Sequence, residues 1–454
     1  MHNAQLVGND AAWHYFARAG RATDWPMWWV FDNAAESAEP MPPADIAEYF
    51  GARTDLLEPL RRRIVEVPYG LGHPFWVVDN SPIDQHVTTH SEALDWAKCQ
   101  QRLGEILARP LDARVSAWEM HVFPDVSGIP TCTGTGTVVL IFVSHALIAG
   151  PSMTSLSEAL FADRPLWIEG LGPATPRPPL LRTALRGVLR WPWQIREFNA
   201  RVAAENVRIV READDSGPHT PPRTRTVVNQ RVGAERVVRS VPVDLASLRG
   251  SGATVTAVGL TAVSFALGRY LAQRGSPVPE DLAAFITIAV PGATVLGVNR
   301  IGSDVVDLSA TTTDLAERVR AVDAELRVRK TSASSARELN RLANAELLPS
   351  RIFRARYGTY PPHDDTAPAL AHTTLTSIKC DPNTPWSLSG RPFRFAGMLP
   401  PVYPDICLAQ SFVGTPETCT FSAASDPALL PDLDTYCALL TDAVREITAA
   451  LPAA

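Results

Sequence analysis

The sequence predicts a layered α/β protein built as two units joined by a proline-flanked helical crossover. Three observations carry this expectation. Strand-like apolar runs and helix-period stripes occur in both halves, which implies sheets covered by helices. Two proline-rich stretches, "EGLGPATPRPPLLR" (169–182) and "DDSGPHTPPRTR" (214–225), divide the chain. Proline neither continues a helix nor donates to a sheet, so both read as exposed connections. Finally, 454 residues with 46% hydrophobic content exceed what one core needs. The expected organisation is a first unit over 1–170, a crossover over 171–225 and a second unit over 226–454.

Taken in chain order, "DLLEPLRRRIV" (55–65) predicts a helix and "PFWVVD" (74–79) a strand. "HSEALDWAKCQQRLGEILARP" (90–110) reads as mainly helix, and "TVVLIFV" (137–143) as a buried strand. Residues 180–212 read as helical with a break at Pro192. The stretch "ATVTAVGLTAVSFALGRYLA" (253–272) carries no charge until Arg269 and approaches the length of a membrane span. Thr254, Thr256, Gly259, Thr261, Ser264 and Gly268 dilute it, so a buried core helix is expected. "RVVRSVPVD" (236–244) and "AAFITIAV" (283–290) predict strands. Leu315, Val319, Val322 and Leu326 form one helical stripe, and Leu433, Cys437, Leu440, Val444, Ile447 and Leu451 form another.

Composition removes several function classes. A net charge of −6 gives no overall field that gathers nucleic acid. The opening "MHNAQLVGNDAAWHYF" lacks the basic-then-apolar layout of a signal peptide, and the expected location is cytoplasmic. Six cysteines are scattered with no C-x-x-C pair, so they read as reduced thiols filling core space. There is no Walker motif, no G-x-G-x-x-G after a strand, no H-E-x-x-H and no G-x-S-x-G elbow, which disfavours phosphate-loop nucleotide chemistry and a serine hydrolase.

The chemistry-bearing feature is "VVLIFVSHALIAGPS" (138–152), a buried strand that ends on Ser144 and His145. Acyl transfer to an alcohol needs a base for the hydroxyl proton, and imidazole titrates near neutrality. A base at a strand end is held by a rigid sheet yet reaches a cleft. Gly150 lets the following loop turn or approach a ligand closely. The bland reading of the same spacing is a core-edge histidine bonded to a backbone carbonyl.

The surrounding motifs favour the first reading. "GNDAAWHYF" around Asp10, "LRRRIVEVPYGLGHPFWVVDNSPIDQHV" with Arg61, Arg63, Pro74, Trp76, Asp79, Asp84, His86 and Val87, and "RPLDARVSAWEMHVF" with Pro110, Leu111, Asp112, Trp118 and Glu119 are similar to successive blocks of one family. "VSHALIAG" falls where that family has H-H-x-x-x-D-G, and "WSLSGRPF" falls at its P-L-Y-L-x-G segment. The chain resembles, along nearly its whole length, the bacterial wax ester synthases/diacylglycerol acyltransferases. They belong to the wider group of condensation-domain and chloramphenicol-acetyltransferase-like folds.

The resemblance implies two chloramphenicol-acetyltransferase-like α/β domains joined by the crossover helix, with His145 in a channel between them. It implies an acyl-CoA donor and a hydrophobic alcohol acceptor, such as a diacylglycerol or a long-chain alcohol. His145 matches the second motif histidine, the general base. Ser144 replaces the first histidine and is expected to donate a hydrogen bond to the oxyanion, together with backbone N–H groups. Gly150 and Asn299, the latter at the family's G-N segment, are expected to bind substrate. No metal or redox cofactor is required.

Other motif positions have drifted. Ala149 stands at the motif aspartate and Val295 at its arginine partner, so the two are expected to face each other as a lost ion pair. Losing both charges is close to neutral for folding, whereas losing one is not. Thr256 and Ala257 stand at an Asn and an Asp, and "LTSIKCDP" (375–382) matches S-N-V-P-G-P poorly. Two rival readings therefore stay open: a catalytically degenerate acyl-CoA or lipid-binding homologue, and an acyltransferase for a polyketide or glycolipid hydroxyl.

Two further features carry alternatives. "HVTTH" places His86 and His90 four apart, which suits a metal on a helix; on an extended segment they lie roughly 13 Å apart, too far for one ion, and the extended form is expected. The crossover carries Arg177, Arg182, Arg186, Arg190, Arg196 and Arg201 among Leu and Trp residues. This suits an interdomain strap, with peripheral contact to an anionic membrane or lipid droplet as a second use.

Overall fold

The structure is a computed structural model that describes residues 4–21, 23–35, 39–212, 221–249, 253–290, 293, 297–359, 364–382 and 384–451. Among them, two large mixed sheets each carry their own hydrophobic core.

The first sheet has seven strands. Its path runs Ser387–Leu388, Arg391–Met398, Trp25–Asp32, Thr135–Val143, Trp118–Ser127 and Val87–Thr89, with Leu94–Asp95 also pairing on Trp118–Ser127. The two central strands are buried on both faces, as continuous apolar runs predict. Alternation sends Met27, Trp29, Phe31, Val139, Ile141 and Val143 to one core, and Trp28, Val30, Val138, Leu140 and Phe142 to another. The second of these is closed by the helix Trp96–Leu107 through Cys99, Leu103 and Ile106. That helix lies directly on the second sheet, where Gln100 Oε1 accepts the Ser240 N–H at 2.6 Å.

The second sheet runs Ile301–Asp307, Ala283–Ala289, Thr373–Lys379, Ala409–Gly414, Thr418–Ser425 and Val237–Asp244. One face, with Ala284, Ile286, Ile288, Leu375 and Phe412, packs under the helices Val255–Gln273, Leu315–Ala333 and Leu433–Ala450. Helix Val255–Gln273 is long and apolar enough to cross a membrane, but Val258, Leu260, Val263, Leu267 and Leu271 are buried in this core.

Three expectations need correction. Residues 55–65 are not a helix: a 3-10 turn over Glu58–Leu60 leads into the strand Arg62–Val65, which pairs antiparallel with Phe75–Val78. Leu57, Leu60 and Ile64 are all buried, so their helix-like spacing is real; Pro59 and hairpin pairing dictate the other conformation. The crossover helix is not interrupted at Pro192 but runs from Leu180 to Glu212. Pro192 is exposed there, and so is Val188, whose carbonyl the proline leaves without an N–H partner. Finally, the segment 387–398 lies in the second half of the sequence yet completes the first sheet. The second half therefore holds the first in place by ladder hydrogen bonds as well as by packing.

Candidate active site

The strand Thr135–Val143 pairs Val143 with Trp25 and Trp118 at its last residue. Ser144 extends this ladder by one bond, its N–H donating to the Ala117 carbonyl at 2.8 Å, and its own carbonyl closes a turn with Leu147 N–H at 2.8 Å. His145 is the first residue released from the sheet. A 3-10 turn over Gly150–Ser152 then starts the helix Met153–Phe161.

The imidazole of His145 lies flat against Trp13, with ring centroids 4.0 Å apart and planes within 6°. Trp25 flanks it at 6.0 Å. Trp13 belongs to the helix Gly8–Arg18, whose first two N–H groups are accepted by the Glu346 carboxylate at 2.6 and 2.7 Å. Three residues before Trp13, on the same helical face, stands Asp10. Its carboxylate accepts the backbone N–H groups of Val298 and Asn299, each at 3.0 Å. The approach requires Gly297, which has φ +70° and whose missing side chain would collide with Asp10. Asn299 in turn donates through Nδ2 to Asp10 at 2.9 Å and to the carbonyl of His145 at 2.8 Å. A residue of the second half thus holds the histidine loop of the first.

These donations fix the amide of Asn299, because only its nitrogen can serve two oxygens. Asn299 Oδ1 and His145 Nδ1 are both buried and without a hydrogen-bond partner. Burial lowers the His145 pKa to about 4, opposed by its own carbonyl and by the Asn299 side chain. The imidazole is therefore neutral at physiological pH. Burial also raises the Asp10 pKa to about 6, opposed by the hydrogen bonds from Val298 and Asn299.

His145 and Gly150 line a cleft of about 250 Å³ between the two halves. Its opposite wall is the free face of the second sheet, with Phe285, Thr287, Ala289, Thr374, Thr376 and Ile378. The lack of a side chain at Gly150 eases the close approach: a Cβ there would lie 2.9 Å from Ile378 Cδ1, the far end of a side chain that could shift. Of the expected site residues, His145 and Gly150 therefore face the cleft. Ser144 is buried but does not line it, and Asn299 is fully buried behind the histidine.

Ala149 is buried in an apolar cluster with Ile148, Met153 and Val298. Val295 lies outside the described residues. His86 and His90 are separated by the strand Val87–Thr89 and find different partners, Ser116 Oγ at 3.0 Å and His121 Nδ1 at 3.1 Å. The residues missed in the sequence are Trp13, Trp25, Glu346 and Thr374. Only the Asp10–Trp13 spacing was visible locally; Trp13 and Trp25 meet His145, Glu346 holds the helix of Trp13 and Thr374 lines the same cleft, each across more than a hundred residues.

Comparison with known proteins agrees with this architecture. Residues 6–258 match the wax ester synthase/diacylglycerol acyltransferase catalytic domain, and residues 298–448 match the C-terminal domain of the same family. A diacylglycerol O-acyltransferase candidate of Mycobacterium tuberculosis strain H37Rv is 29% identical over 333 residues, covering 67% of this chain and 68% of that protein. The wax ester synthase/diacylglycerol acyltransferase of Marinobacter aquaeolei VT8 superposes with a TM-score of 0.62 at 15% identity, over 98% of this chain and 99% of that one. A starter condensation domain of rhizomide synthetase, solved with C8-CoA and Leu-SNAC, gives 0.54 at 13% identity, over 98% and 94%. The trichothecene 15-O-acetyltransferase of Fusarium sporotrichioides gives 0.58 at 12%, also over 98% and 94%. With two chloramphenicol-acetyltransferase-like halves and a histidine held at their junction, the chain belongs to the wax ester synthase/diacylglycerol acyltransferase family.

Proposed function

We propose that this protein transfers a fatty acyl group from acyl-CoA to a hydrophobic alcohol, such as a diacylglycerol or a long-chain alcohol, with His145 as general base. The observation that carries the reading is a neutral imidazole at the wall of an apolar cleft between the two halves. The C8-CoA bound by the related condensation domain supports a thioester donor.

In this reading His145 Nε2 takes the proton of the acceptor hydroxyl while its oxygen attacks the thioester carbonyl. Burial disfavours the imidazolium that results, and the Asn299 side chain beside it, which raises the His145 pKa, offsets part of that penalty. Collapse of the tetrahedral intermediate breaks the C–S bond, and the imidazolium returns its proton to the CoA thiolate. Side chains supply every proton and charge contact, so the proposed step uses no metal or redox cofactor.

The crossover helix supports a contact with a lipid surface. Leu181, Leu185, Val188, Leu189 and Trp193 are exposed along it, with Arg182, Arg186 and Arg190 beside them. An apolar stripe flanked by arginines is the composition that lies in a membrane interface. Such a surface is where a hydrophobic acceptor resides.

The test is an acyl-transfer assay over a panel of CoA thioesters and alcohols, with the purified wild type and His145→Ala side by side. The substitution is expected to lower turnover by about two to four orders of magnitude. A wild type that binds acyl-CoA but turns over no pair would leave the binding homologue as the function.

A further inference from the structure

We infer that Thr374 is the side-chain donor that stabilises the oxyanion, through its Oγ–H. The inference rests on the acyl-transfer reading of the same cleft and assigns a role that Ser144 was expected to hold.

Thr374 lies on the strand Thr373–Lys379, in register with Phe285 of the neighbouring strand. Alternation decides which way it points. Ala284, Ile286, Ile288 and Leu375 face the helices, so Phe285, Thr287, Thr374 and Thr376 face the cleft. The hydrogen bond between Thr376 and Thr287, 2.7 Å between their hydroxyl oxygens, shows that these two residues share a face.

The hydroxyls of this strand differ in one respect. Thr373 Oγ1 donates to the Leu408 carbonyl at 2.9 Å, Thr376 pairs with Thr287, and Ser377 pairs with Thr256 at 3.0 Å. Thr374 is 1% exposed, and its Oγ1 has no partner. A buried hydroxyl without a partner weakens a fold, and valine would fill the same space without that loss. A group that destabilises where an isosteric one would not is expected where the partner arrives with the substrate.

The partner fits the chemistry on the opposite wall. His145 lines the same cleft and is the only histidine that does so among the described residues. As the acceptor oxygen bonds to the thioester carbon, the carbonyl π pair moves onto oxygen and negative charge builds there. Thr374 Oγ–H donates to that oxygen; no bond at Thr374 breaks, and the proton stays on Thr374. The C=O bond re-forms as the C–S bond breaks, and His145 protonates the thiolate. A donor inside a cleft shielded from water is worth more than the same donor in solution.

The experiment is steady-state kinetics and thermal melting of the wild type, Thr374→Val and Thr374→Ser, with one CoA thioester and one alcohol. Thr374→Val is expected to melt at or above the wild-type temperature while kcat falls about 10²-fold to 10³-fold and KM stays within about threefold. Thr374→Ser, which keeps the donor, should retain kcat within about tenfold of wild type. An active wild type beside a folded Thr374→Val with unchanged kcat overturns this inference alone. Should the valine variant not fold, a serine variant with kcat down as far as 10²-fold also overturns it. A wild type that turns over no thioester–alcohol pair overturns the transferase reading, and this inference with it.

Discussion

Asn299 donates from its side-chain amide to the carbonyl oxygen of His145 at 2.8 Å, while the same nitrogen reaches Asp10 at 2.9 Å. One amide therefore couples the histidine loop, the N-terminal helix and the second half of the molecule. It also leaves Asn299 Oδ1 as an unused acceptor and His145 Nδ1 as an unused ring nitrogen. An Nδ1–H donated to Oδ1 would fix the tautomer whose Nε2 lone pair faces the substrate.

Asn299→Ala removes both the anchor and the acceptor. It is expected to lower kcat by about 10-fold to 10²-fold, since small displacements of a reacting group are costly. Steady-state kinetics checks this, with acyl-CoA affinity measured separately by calorimetry. Unchanged kcat would show that the imidazole is held by its tryptophan neighbours alone.

The pH dependence follows from burial. Burial lowers the His145 pKa to about 4 from near 6.5, so the imidazole stays neutral throughout the neutral range, as the proposed base must. As pH falls through about 4 it gains a proton and loses that capacity. The acid limb of kcat/KM attributable to His145 is therefore expected near 4, with no limb near 6.5. Asp10, raised to about 6, protonates earlier on the same descent and weakens its grip on Val298 and Asn299. A profile of the wild type against Asp10→Asn separates the two, because only the component near 6 should vanish. A single limb at 6.5 in both proteins would show that the imidazole is solvated during turnover.

Ala149 gives a stability test. It occupies an apolar cluster with Ile148, Met153 and Val298, where the motif resemblance would place an aspartate. Restoring the charge alone buries an unpaired carboxylate. Ala149→Asp is expected to destabilise the protein by about 3–5 kcal/mol at neutral pH. Part of this should be regained as pH falls and the carboxyl protonates, because a buried, unpaired acid has a raised folded-state pKa. Urea unfolding at two pH values measures it. An unperturbed midpoint would mean that a cation already faces this site.

What the sequence made legible was local. The strand ending at Val143, the helix stripes from Leu315 and Leu433, and the histidine released at 145 each follow from periodicity over ten to twenty residues. The hairpin at 387–398 was visible only as a motif. Its turn, with Ser389 and Gly390 both at positive φ, is local, but the sheet that it joins is chosen by Trp28 and Val30, more than 350 residues away. Residues 55–65 misled for the opposite reason: Leu57, Leu60 and Ile64 have helical spacing but are buried from a 3-10 turn and a strand. The histidine was readable from its strand, whereas Asp10, Glu346 and Thr374 gain meaning only once the two halves meet.

The crossover helix supplies the last prediction. Leu181 is 80% exposed and Leu189 is 70% exposed, with Leu185, Val188 and Trp193 between and beside them. Arg186 and Arg190 line a separate cleft of about 490 Å³ between this helix and residues 71–75, and Arg182 is exposed one turn earlier. If this face rests on anionic lipid, two contributions act together. Attraction of the arginines is screened within about 8–10 Å at physiological ionic strength, so it weakens with salt. Burial of the leucines does not. Leu185→Gln with Leu189→Gln should therefore reduce co-sedimentation with anionic vesicles at low and high salt alike. Replacing Arg182, Arg186 and Arg190 with Gln should remove only the salt-sensitive part. Neither set should lower the melting temperature much, because these side chains face solvent. Should the helix serve only as a strap, vesicle binding of the wild type will be absent at both salt concentrations, and no substitution on this face will change it.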